Sequence, residues 1–421
     1  MTIHVRVKDL LFIVLVLIVF SGGIVGAFIF LKQINKTGTT TNTLAEKPAE
    51  IEQKFPGLAP NCPERYCVSV TVNGDLLFHP LLWNNFRTGD EREFDFAPLF
   101  AAQKQYYAKS DIAVCDVETP IANLGGPYTG YPIFNIPPQV LDAAADAGYT
   151  ACTTATNHSI DQGVAGVERV IDKLDALGIK HTGTYKTKED SQQPLIMTSE
   201  GGKLAIISGT VSLNGMVAAH DWRVDRMRDN GMRASDVERA VSMAKKAREQ
   251  GADIVIMQLH SLQEYITYAD SWQISAAHEL ADSGEFDFIY FHGSHSVQPL
   301  ELYNDIYIAY GLGNSQTVSA PQERYVNNQG LTVRVQFSSP DQENWKVAKL
   351  SYLPTFNKTG ANYAWCPLAT DHPSGFCAGE TTDAQMLSRM ENILFSMNVT
   401  RDDPIVKLWL ISEEQNGETT D

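Results

Sequence analysis

Segments with β-type patterning alternate with segments of helical periodicity through most of this chain. The alternation begins near residue 66 and continues beyond residue 290. Such alternation is typical of βαβ units, and it predicts an α/β fold with largely parallel strands. The predicted strands are 67–73, 111–118, 149–155, 203–208, 253–260 and 287–295, and the predicted helices are 138–147, 163–177, 234–250 and 271–283.

Side chains with metal-binding or acid–base chemistry follow these predicted strands. Because open α/β sheets expose their reactive edge at the carboxyl ends of the strands, these side chains are expected to meet there. Carboxylate and amide oxygens together with imidazoles suit Mn, Zn or Fe, and a set of this size exceeds one tetrahedral site. The sequence therefore points to two divalent metal ions. The candidates are Asp75, His79, Glu118, Asn157, His158, His260, His292 and His295.

The Asn157-His158 pair lies between a predicted strand, 149–155, and a helix that begins near Gly163. An amide oxygen and an imidazole delivered together at a strand exit suit a metal-assisted hydrolase. A helix cap is the alternative, because Asn, Ser and Asp are ordinary residues at helix starts. The other strand exits favour the metal site. Histidines away from the strand exits are interpreted as packing or surface residues, namely His220, His278 and His372.

The charge balance narrows the choice of partner. The chain has a formal net charge of −17 at pH 7. A nucleic-acid partner requires a basic face, so this charge argues against one. An anionic substrate would need a local cation on such a protein, and a bound metal would supply it.

An uncharged run of 22 residues, 10–31, precedes the folded region. At about 1.5 Å per residue, a helix of this length crosses a hydrocarbon core of about 30 Å. The run exceeds the apolar region of a cleaved signal peptide, about 7–15 residues, which favours an uncleaved anchor. Residues 1–9 are then expected in the cytoplasm, and residues 32–65 are expected to form a flexible linker.

The six cysteines bear on the compartment. Four of them form two local pairs at the margins of the folded region, where a disulfide would staple an end. Disulfides there favour an oxidising, extracytoplasmic side, with reduced thiols or a metal site as the alternative. The local pairs are Cys62/Cys67 and Cys366/Cys377, and the remaining Cys115 and Cys152, in apolar strands, are interpreted as buried thiols.

A series of short motifs occurs in a fixed order between residues 68 and 353. They are Gly74-Asp75 with His79, Glu118-Thr-Pro, Gly130-Tyr-Pro-Ile-Phe-Asn135, Ala155-Thr-Asn157-His158-Ser-Ile-Asp161-Gln-Gly163, His181-Thr-Gly-Thr, His260 with Glu264-Tyr265, Val297-Gln-Pro299 and Tyr310-Gly-Leu-Gly-Asn314. In this order the chain resembles the CapA family, poly-γ-glutamate capsule-synthesis proteins related to calcineurin-like metallophosphoesterases. A domain is accordingly expected at 66–354, followed by an extension at 355–421 that a disulfide would staple to it.

The resemblance implies a four-layer α/β/β/α metallophosphoesterase-like sandwich with a metal site at one sheet edge. It implies that Asp75 and His79 hold one metal, and that Glu118 bridges two. Asn157 and His260 would hold the second metal.

The resemblance also assigns roles around the metals. His158 would face the substrate as a general acid or as a stabiliser of developing charge. Glu264, Asp161 and Asn314 would orient the ligands or their loops from outside the coordination sphere.

Membership of such a family implies a single-pass protein of the cell membrane whose C-terminal domain is extracytoplasmic. The implied partners are the membrane, an anionic surface polymer similar to poly-γ-glutamate, and membrane proteins of capsule synthesis. The implied activity is metal-dependent hydrolysis of a phosphoester or an amide in capsule synthesis or release. A non-catalytic polymer-binding or export component is the alternative, and a structural wall protein is a third reading.

Two motifs depart from the family pattern. Where the family usually has His-Trp-Gly-x-Glu-Tyr, this chain reads His260-Ser-Leu-Gln-Glu264-Tyr265. Where the family usually has His-Pro-His, this chain has Gly293-Ser-His295, so one expected imidazole is absent. His292 could replace it only if the strand exit is twisted, because adjacent side chains in a strand point to opposite faces. One or two bound ions are therefore expected.

Overall fold

The computed structural model describes residues 62–90, 92–108, 110–318, 326–360, 363–369 and 375–410. The predicted membrane helix at 10–31 lies outside the described residues, as does most of the predicted linker at 32–65. Within the described residues, no helix combines the length and the hydropathy needed to cross a membrane.

Strands and helices alternate along the described chain. The strands are β1 (Tyr66–Leu77), β2 (Ile112–Val117), β3 (Ala151–Thr153), β4 (Lys180–Thr182), β5 (Leu195–Thr198), β6 (Lys203–Thr210), β7 (Ile254–His260), β8 (Phe288–His292), β9 (Leu300–Tyr303), β10 (Ile306–Ala309), β11 (Asn314–Thr317), β12 (Gln329–Ser339), β13 (Lys346–Lys358), β14 (Ala364–Pro367) and β15 (Val406–Leu408). The helices are α1 (Pro80–Trp83), α2 (Ala97–Phe100), α3 (Lys104–Tyr107), α4 (Gln139–Ala147), α5 (Gly163–Ala176), α6 (Arg233–Glu249), α7 (Ser271–Asp282) and α8 (Glu380–Leu394).

The strands form two mixed sheets. The larger sheet has the order β14-β13-β12-β1-β2-β3-β4, with β11 beside β1 and β15 beside β13. The smaller sheet has the order β5-β6-β7-β8-β10-β9. Strands β1 to β4 run parallel, and so do β6, β7 and β8. The carboxyl ends of the central strands therefore lie together in each sheet, as the alternation predicted.

Three apolar clusters separate four layers. One cluster lies between the sheets and joins Val70 of β1 to Ile256 of β7. A second packs the other face of the larger sheet against α4 and α5, and a third packs the other face of the smaller sheet against α6 and α7. The order is helix, sheet, sheet, helix, which confirms the implied α/β/β/α arrangement.

Helix α5 shows how periodicity selects these layers. Its buried residues are spaced three and four apart, which places them on one face of the helix. They are Val167, Val170, Ile171 and Leu174, the apolar positions of the predicted helix, together with Gly166. Gly178 follows with φ +74° and ends the helix in the left-handed region.

Two strands are shorter than predicted. Strand β3 covers only Ala151–Thr153 of the predicted 149–155, because its partner β4 offers a ladder of three residues. Strand β8 ends at His292 and not at 295, because Gly293 has φ +83° and leaves the extended region.

The residues after 354 join the larger sheet. Strand β13 runs through the predicted boundary at 354 and pairs with both β14 and β15. Met390 and Leu394 of α8 are buried in the cluster between the sheets. The C-terminal extension therefore contributes strands and core residues.

All six cysteines form disulfides. The local pairs Cys62–Cys67 and Cys366–Cys377 are bonded as predicted. The interpretation of Cys115 and Cys152 as buried thiols is wrong, because they are bonded to each other. They lie opposite each other in register on β2 and β3, with Cα atoms 4.5 Å apart, a separation that a disulfide can bridge.

Candidate metal centre

The ends of β1 and β2 meet the ends of β7 and β8 where the two sheets face each other. Asp75 pairs in register with Asp116 of β2, and His260 pairs with His292 of β8. All four side chains are buried. Buried charge is costly unless it is paired or bound to a metal. The charges at this edge therefore need oppositely charged partners or a metal ion.

Asp75 is the hub of this edge. Its Oδ1 accepts a hydrogen bond from Nδ1 of His292 at 2.6 Å, and its Oδ2 accepts one from Nδ1 of His295 at 3.0 Å. Burial raises the pKa of Asp75, but the hydrogen bonds from the two histidines outweigh it and hold the pKa well below its usual range. Asp75 is therefore ionised and joins the two sheets.

Glu118 faces His295 across a gap. Its Oε1 lies 3.6 Å from Nε2 of His295, and neither carboxylate oxygen has a hydrogen-bond partner. Burial raises the pKa of Glu118 well above its usual value, against the charge of His295. For His295, burial lowers the pKa, but the charge of Glu118 and the contact with Asp75 raise it to about 10. A metal ion bound between them would displace the proton of His295.

Asp116 and His260 face each other across a second gap. Oδ1 of Asp116 accepts a hydrogen bond from Thr153 at 2.7 Å, while Oδ2 has no partner and lies 3.7 Å from Nδ1 of His260. Neither ring nitrogen of His260 has a partner. Buried polar atoms without partners are rare in proteins, and several at one edge suit the binding of a metal ion.

The residues present fit a divalent metal. Two ligand atoms about 2.0–2.2 Å from one ion lie roughly 3.4 Å apart in tetrahedral geometry, close to both observed gaps. Within each of two groups, the ligand atoms lie within 4.8 Å of one another, and the groups share Asp75. The groups are Asp75, Asp116 and His292, and Asp75, Glu118 and His295.

His158 lies in a dyad beside these groups. Its Nδ1 is 2.7 Å from Oδ2 of Asp161, which also accepts the backbone N–H of Phe134 at 2.8 Å. The imidazole packs edge-on against Phe134, with ring centroids 4.7 Å apart. The Asp161 contact and the Phe134 ring fix the orientation of His158, and its Nε2 lies 3.4 Å from a side-chain amide.

Asn157 occupies a buried turn and does not cap a helix. Its Oδ1 has no hydrogen-bond partner, and the Thr156 hydroxyl donates to the backbone oxygen of Glu118 at 2.6 Å. Helix α5 begins six residues after Asn157, and its N-cap residue Gln162 makes no side-chain cap bond. The cap alternative is therefore not seen, and the role of Asn157 as a metal ligand remains a prediction.

His79 lies to one side of both groups. Its ring packs edge-on against Phe134, which also contacts His158. Its Nε2 has no hydrogen-bond partner. Burial lowers the pKa of His79 to about 4, with further lowering by His295 and His158. His79 is therefore neutral and lies near the metal groups, and its predicted role as a ligand beside Asp75 remains a prediction.

The residues expected to support the ligands lie at different distances from the edge. Oδ1 of Asn314 is 3.1 Å from Nδ1 of His295, and its amide donates to the backbone oxygen of Asn327 at 2.8 Å. Glu264 is exposed in the loop after β7, where its charge helps to raise the pKa of His295. Of the histidines left as packing residues, His278 stacks on Tyr303.

Gly293 explains how two histidines reach Asp75. A Cβ at residue 293 would lie 2.8 Å from Nε2 of His260 and 2.5 Å from the backbone oxygen of Ser261. The left-handed turn at Gly293 twists the strand exit, so His292 and His295 both bond Asp75. An imidazole at 293 would not fit this backbone, and His292 takes the place beside Asp75.

Sequence reasoning missed two residues of the site. Asp116 precedes Glu118 by two positions and thus shares its face of the strand exit, a signal that alternation could have provided. Asn214 follows β6, and its amide lies 3.4 Å from Nε2 of His158. No strand-exit pattern marks Asn214, because a turn with φ +52° places it there.

The chain matches a known protein family. A family model described as bacterial capsule synthesis protein PGA_cap matches residues 69–317, more than half of the chain. The chain belongs to this family. The PGA_cap match contains the ends of β1, β2, β7 and β8, and it confirms the resemblance given by the motifs.

Individual relatives of the PGA_cap chain are distant. PGA biosynthesis protein CapA of Bacillus subtilis (strain 168) is 27% identical over 169 residues, 40% of this chain and 43% of that protein. Capsule biosynthesis protein CapA of Bacillus anthracis is 24% identical over 176 residues, 42% of each. A probable polyglutamine synthesis accessory protein of Mycobacterium tuberculosis is 26% identical over 213 residues, 49% of this chain and 55% of that protein. The match spans about half of the length of these relatives.

Two solved structures are similar to this chain at low sequence identity. A calcineurin-like phosphoesterase from Bacillus subtilis covers 77% of this chain and 96% of its own, with 15% identity and a TM-score of 0.44. A hypothetical protein from Thermus thermophilus covers 68% of this chain and 98% of its own, with 11% identity and a TM-score of 0.40.

Proposed function

We propose that this chain is a metal-dependent hydrolase of capsule or poly-γ-glutamate synthesis or release. One observation carries the proposal: buried ligand atoms without partners converge at one sheet edge, next to the Asp161–His158 dyad. These atoms belong to Asp116, Glu118, Asn157 and His260. Unsatisfied buried polar groups are costly, and a bound metal would give these atoms a partner.

In the proposed reaction, some residues would hold the metal ions and His158 would transfer a proton. One or two divalent ions, Mn, Zn or Fe, would polarise the scissile group and activate water when bound. Asp75, Asp116, Glu118 and the histidines would hold them. Asp161 keeps the Nδ1 proton of His158 engaged, so Nε2 can carry a proton to the leaving group.

The proposed substrate is an anionic surface polymer similar to poly-γ-glutamate, cleaved at an amide or a phosphoester. The relatives named for capsule and poly-γ-glutamate biosynthesis motivate this assignment. We further propose that residues 10–31 anchor the protein in the cell membrane and that the folded domain is extracytoplasmic. Three disulfides support an oxidising side. Membrane proteins of capsule synthesis are the proposed partners.

The test uses the full-length chain loaded with Mn or Zn and a panel of phosphodiester and γ-glutamyl substrates. Wild-type turnover is expected on one class, and His158→Ala is expected to lower it by roughly 10²–10⁴-fold, the range for lost general acid–base catalysis. His278→Ala is the matched control, because His278 stacks on Tyr303 away from the edge. Unchanged turnover in His158→Ala would reject the mechanism.

The second candidate function is polymer binding or export without catalysis. Gly293 favours it, because the imidazole that the family pattern places there is absent. Binding of a γ-glutamyl oligomer by metal-loaded protein, with no turnover of either substrate class, would select this function.

A further inference from the structure

A cationic cavity of about 520 Å³ lies outside the candidate metal centre. Its walls are the turn Asp221–Arg223, the segment 224–228 and one face of α6. Five basic side chains line it, against three acidic ones. The basic residues are Lys188, Arg226, Arg228, Arg239 and Lys246, and the acidic residues are Asp221, Asp225 and Asp236. An excess of two positive charges is unusual on a chain whose formal net charge is −17.

The buried acidic residues hold two of the arginines in place. Asp236 accepts two side-chain hydrogen bonds from Arg228, at 2.8 and 2.6 Å. Asp225 accepts one from Arg239 at 2.8 Å and one from the Tyr185 hydroxyl at 2.7 Å. Both carboxylates are buried and fully engaged. They therefore fix the guanidinium groups in orientation, which lowers the entropy cost of binding a ligand.

The other three basic side chains have no acidic partner among the described residues. Arg226 donates only to the backbone oxygens of Thr210 and Val211, each at 3.4 Å. Lys246 donates to a backbone oxygen at 2.6 Å, and Lys188 is exposed. Burial and the charge of Arg228 lower the pKa of Arg226, although the charges of Asp236 and Asp221 raise it in part. An anion between these groups would relieve the repulsion.

We propose that this cavity is a binding site for a multiply charged organic or inorganic anion, carrying carboxylate or phosphate groups. Oriented arginines recognise both groups through paired hydrogen bonds, and the lysines add charge without demanding a fixed geometry. The five basic side chains match a ligand with at least two negative charges. The site is separate from the metal edge and does not require catalysis.

The position of the cavity relates it to the metal edge. Thr210 pairs in register with His260 on one side and forms a bridge to Arg226 on the other. Two interstrand spacings, about 10 Å, thus separate Arg226 from His260 along the sheet. A chain of anionic units bound at the metal edge could extend a second anionic group into the cavity.

The test is calorimetric titration of the full-length chain, freed of metal and dialysed out of chelator. The probes are pyrophosphate and a γ-linked tri-glutamate, so the two arms separate a phosphate ligand from a carboxylate ligand. The test variant is Arg226→Gln with Lys246→Gln. The matched control is Arg233→Gln with Lys245→Gln, which removes the same charge from α6 outside the cavity. Trp222, which lines the cavity, is a second reporter by fluorescence, and Trp222→Phe identifies its signal.

Wild type and control are expected to bind at least one probe, and the test variant is expected to bind it at least roughly tenfold more weakly, about 1.4 kcal/mol. The variant Lys188→Gln with Lys246→Gln, at more exposed positions, is also expected to weaken binding. It replaces the first test variant if that variant does not fold. Glu118→Gln is expected to keep this binding, so failure of the metal centre is distinguished from failure of the cavity. The proposal is overturned if neither probe binds more tightly than about 1 mM, or if test and control variants bind equally.

Discussion

At the scale of single residues, position 293 decides how the metal edge is built. Only glycine fits there, because φ is +83° and a side chain would collide with His260. The departure from the family pattern is therefore coupled to the placement of His292 and His295 on Asp75. The Asp161 contact plays a comparable part for His158, since it fixes which ring nitrogen faces outward.

Gly293→Ala tests the close approach. The left-handed backbone costs about 1–3 kcal/mol for alanine, and the collision adds about 1–3 kcal/mol, so a loss of about 2–6 kcal/mol in the free energy of unfolding is expected. Gly178→Ala is the matched control, because Gly178 has φ +74° and nothing within 4 Å of the added Cβ. Urea unfolding measures both. Equal losses in the two variants would show that the contact with His260 does not matter.

Asp161→Asn tests the dyad. Turnover is expected to fall at least roughly tenfold, because His158 loses the acceptor that fixes its tautomer, while metal content stays unchanged. Asp175→Asn removes a similar contact, to His181 at the surface, and is expected to have no effect on turnover. Metal content and steady-state kinetics give the readout. A parallel loss of metal in Asp161→Asn would assign Asp161 to the metal and not to His158.

At the scale of elements, the disulfide between β2 and β3 supports the strand that carries Asp116. Cys115 precedes Asp116, and Cys152 precedes Thr153, whose hydroxyl bonds Asp116. The covalent link thus fixes the two strands just below the edge. It also closes a longer loop than the terminal pair Cys62–Cys67, with a separation of 37 residues against 5.

Replacing both cysteines of a disulfide by alanine is expected to lower the free energy of unfolding. The loss should be larger for the disulfide that closes the longer loop. The chain-entropy relation gives about 4 kcal/mol for Cys115–Cys152 and about 2 kcal/mol for Cys62–Cys67. Urea unfolding of the two double variants tests the ranking. A thiol titration of the denatured wild type without reductant is expected to find no free thiol. A larger loss of unfolding free energy for the Cys62–Cys67 variant than for the Cys115–Cys152 variant would contradict the predicted ranking.

The sequence predicted the elements whose periodicity is long and regular. Helix α5 and the parallel strands β1, β2, β7 and β8 follow from apolar spacing alone. Strands β4, β5 and β9 to β15 were not assigned, because strand formation depends on packing against neighbours that are distant in the sequence. The same limit applies to the site. Asp75 and Glu118 were found at strand exits, whereas Asp116 lay within a predicted strand and Asn214 reaches His158 through a turn that no pattern marks.

At the scale of the whole molecule, metal and proton binding are linked. In the metal-free protein, burial lowers the pKa of His295, but Glu118 and Asp75 raise it to about 10. Its proton therefore stabilises the metal-free fold below pH about 6.5, and this stabilisation is lost as pH rises through about 10. A metal must displace that proton, so its affinity is expected to rise with pH between these values.

The linkage predicts a pH-dependent thermal shift. At one fixed Mn or Zn concentration, about 100 times the Kd at pH 6.5, the full-length chain is expected to gain about 2.7 kcal/mol at pH 6.5 and more at pH 8.5. Titration calorimetry in buffers of different ionisation enthalpy should show proton release. A gain that is equal at the two pH values, with no proton release, would contradict the linkage.

Asp75 is common to both ligand groups, and it is expected to anchor the metal centre. The most direct measurement is the metal content of the full-length chain by mass spectrometry, compared between wild type and Asp75→Asn after equal exposure to Mn or Zn. Asp341→Asn is the control, since Asp341 lies in an exposed turn. Wild type and Asp341→Asn are expected to hold one or two ions, and folded Asp75→Asn to hold none. Equal metal content in all three proteins, or none in wild type, would show that Asp75 does not anchor a metal centre.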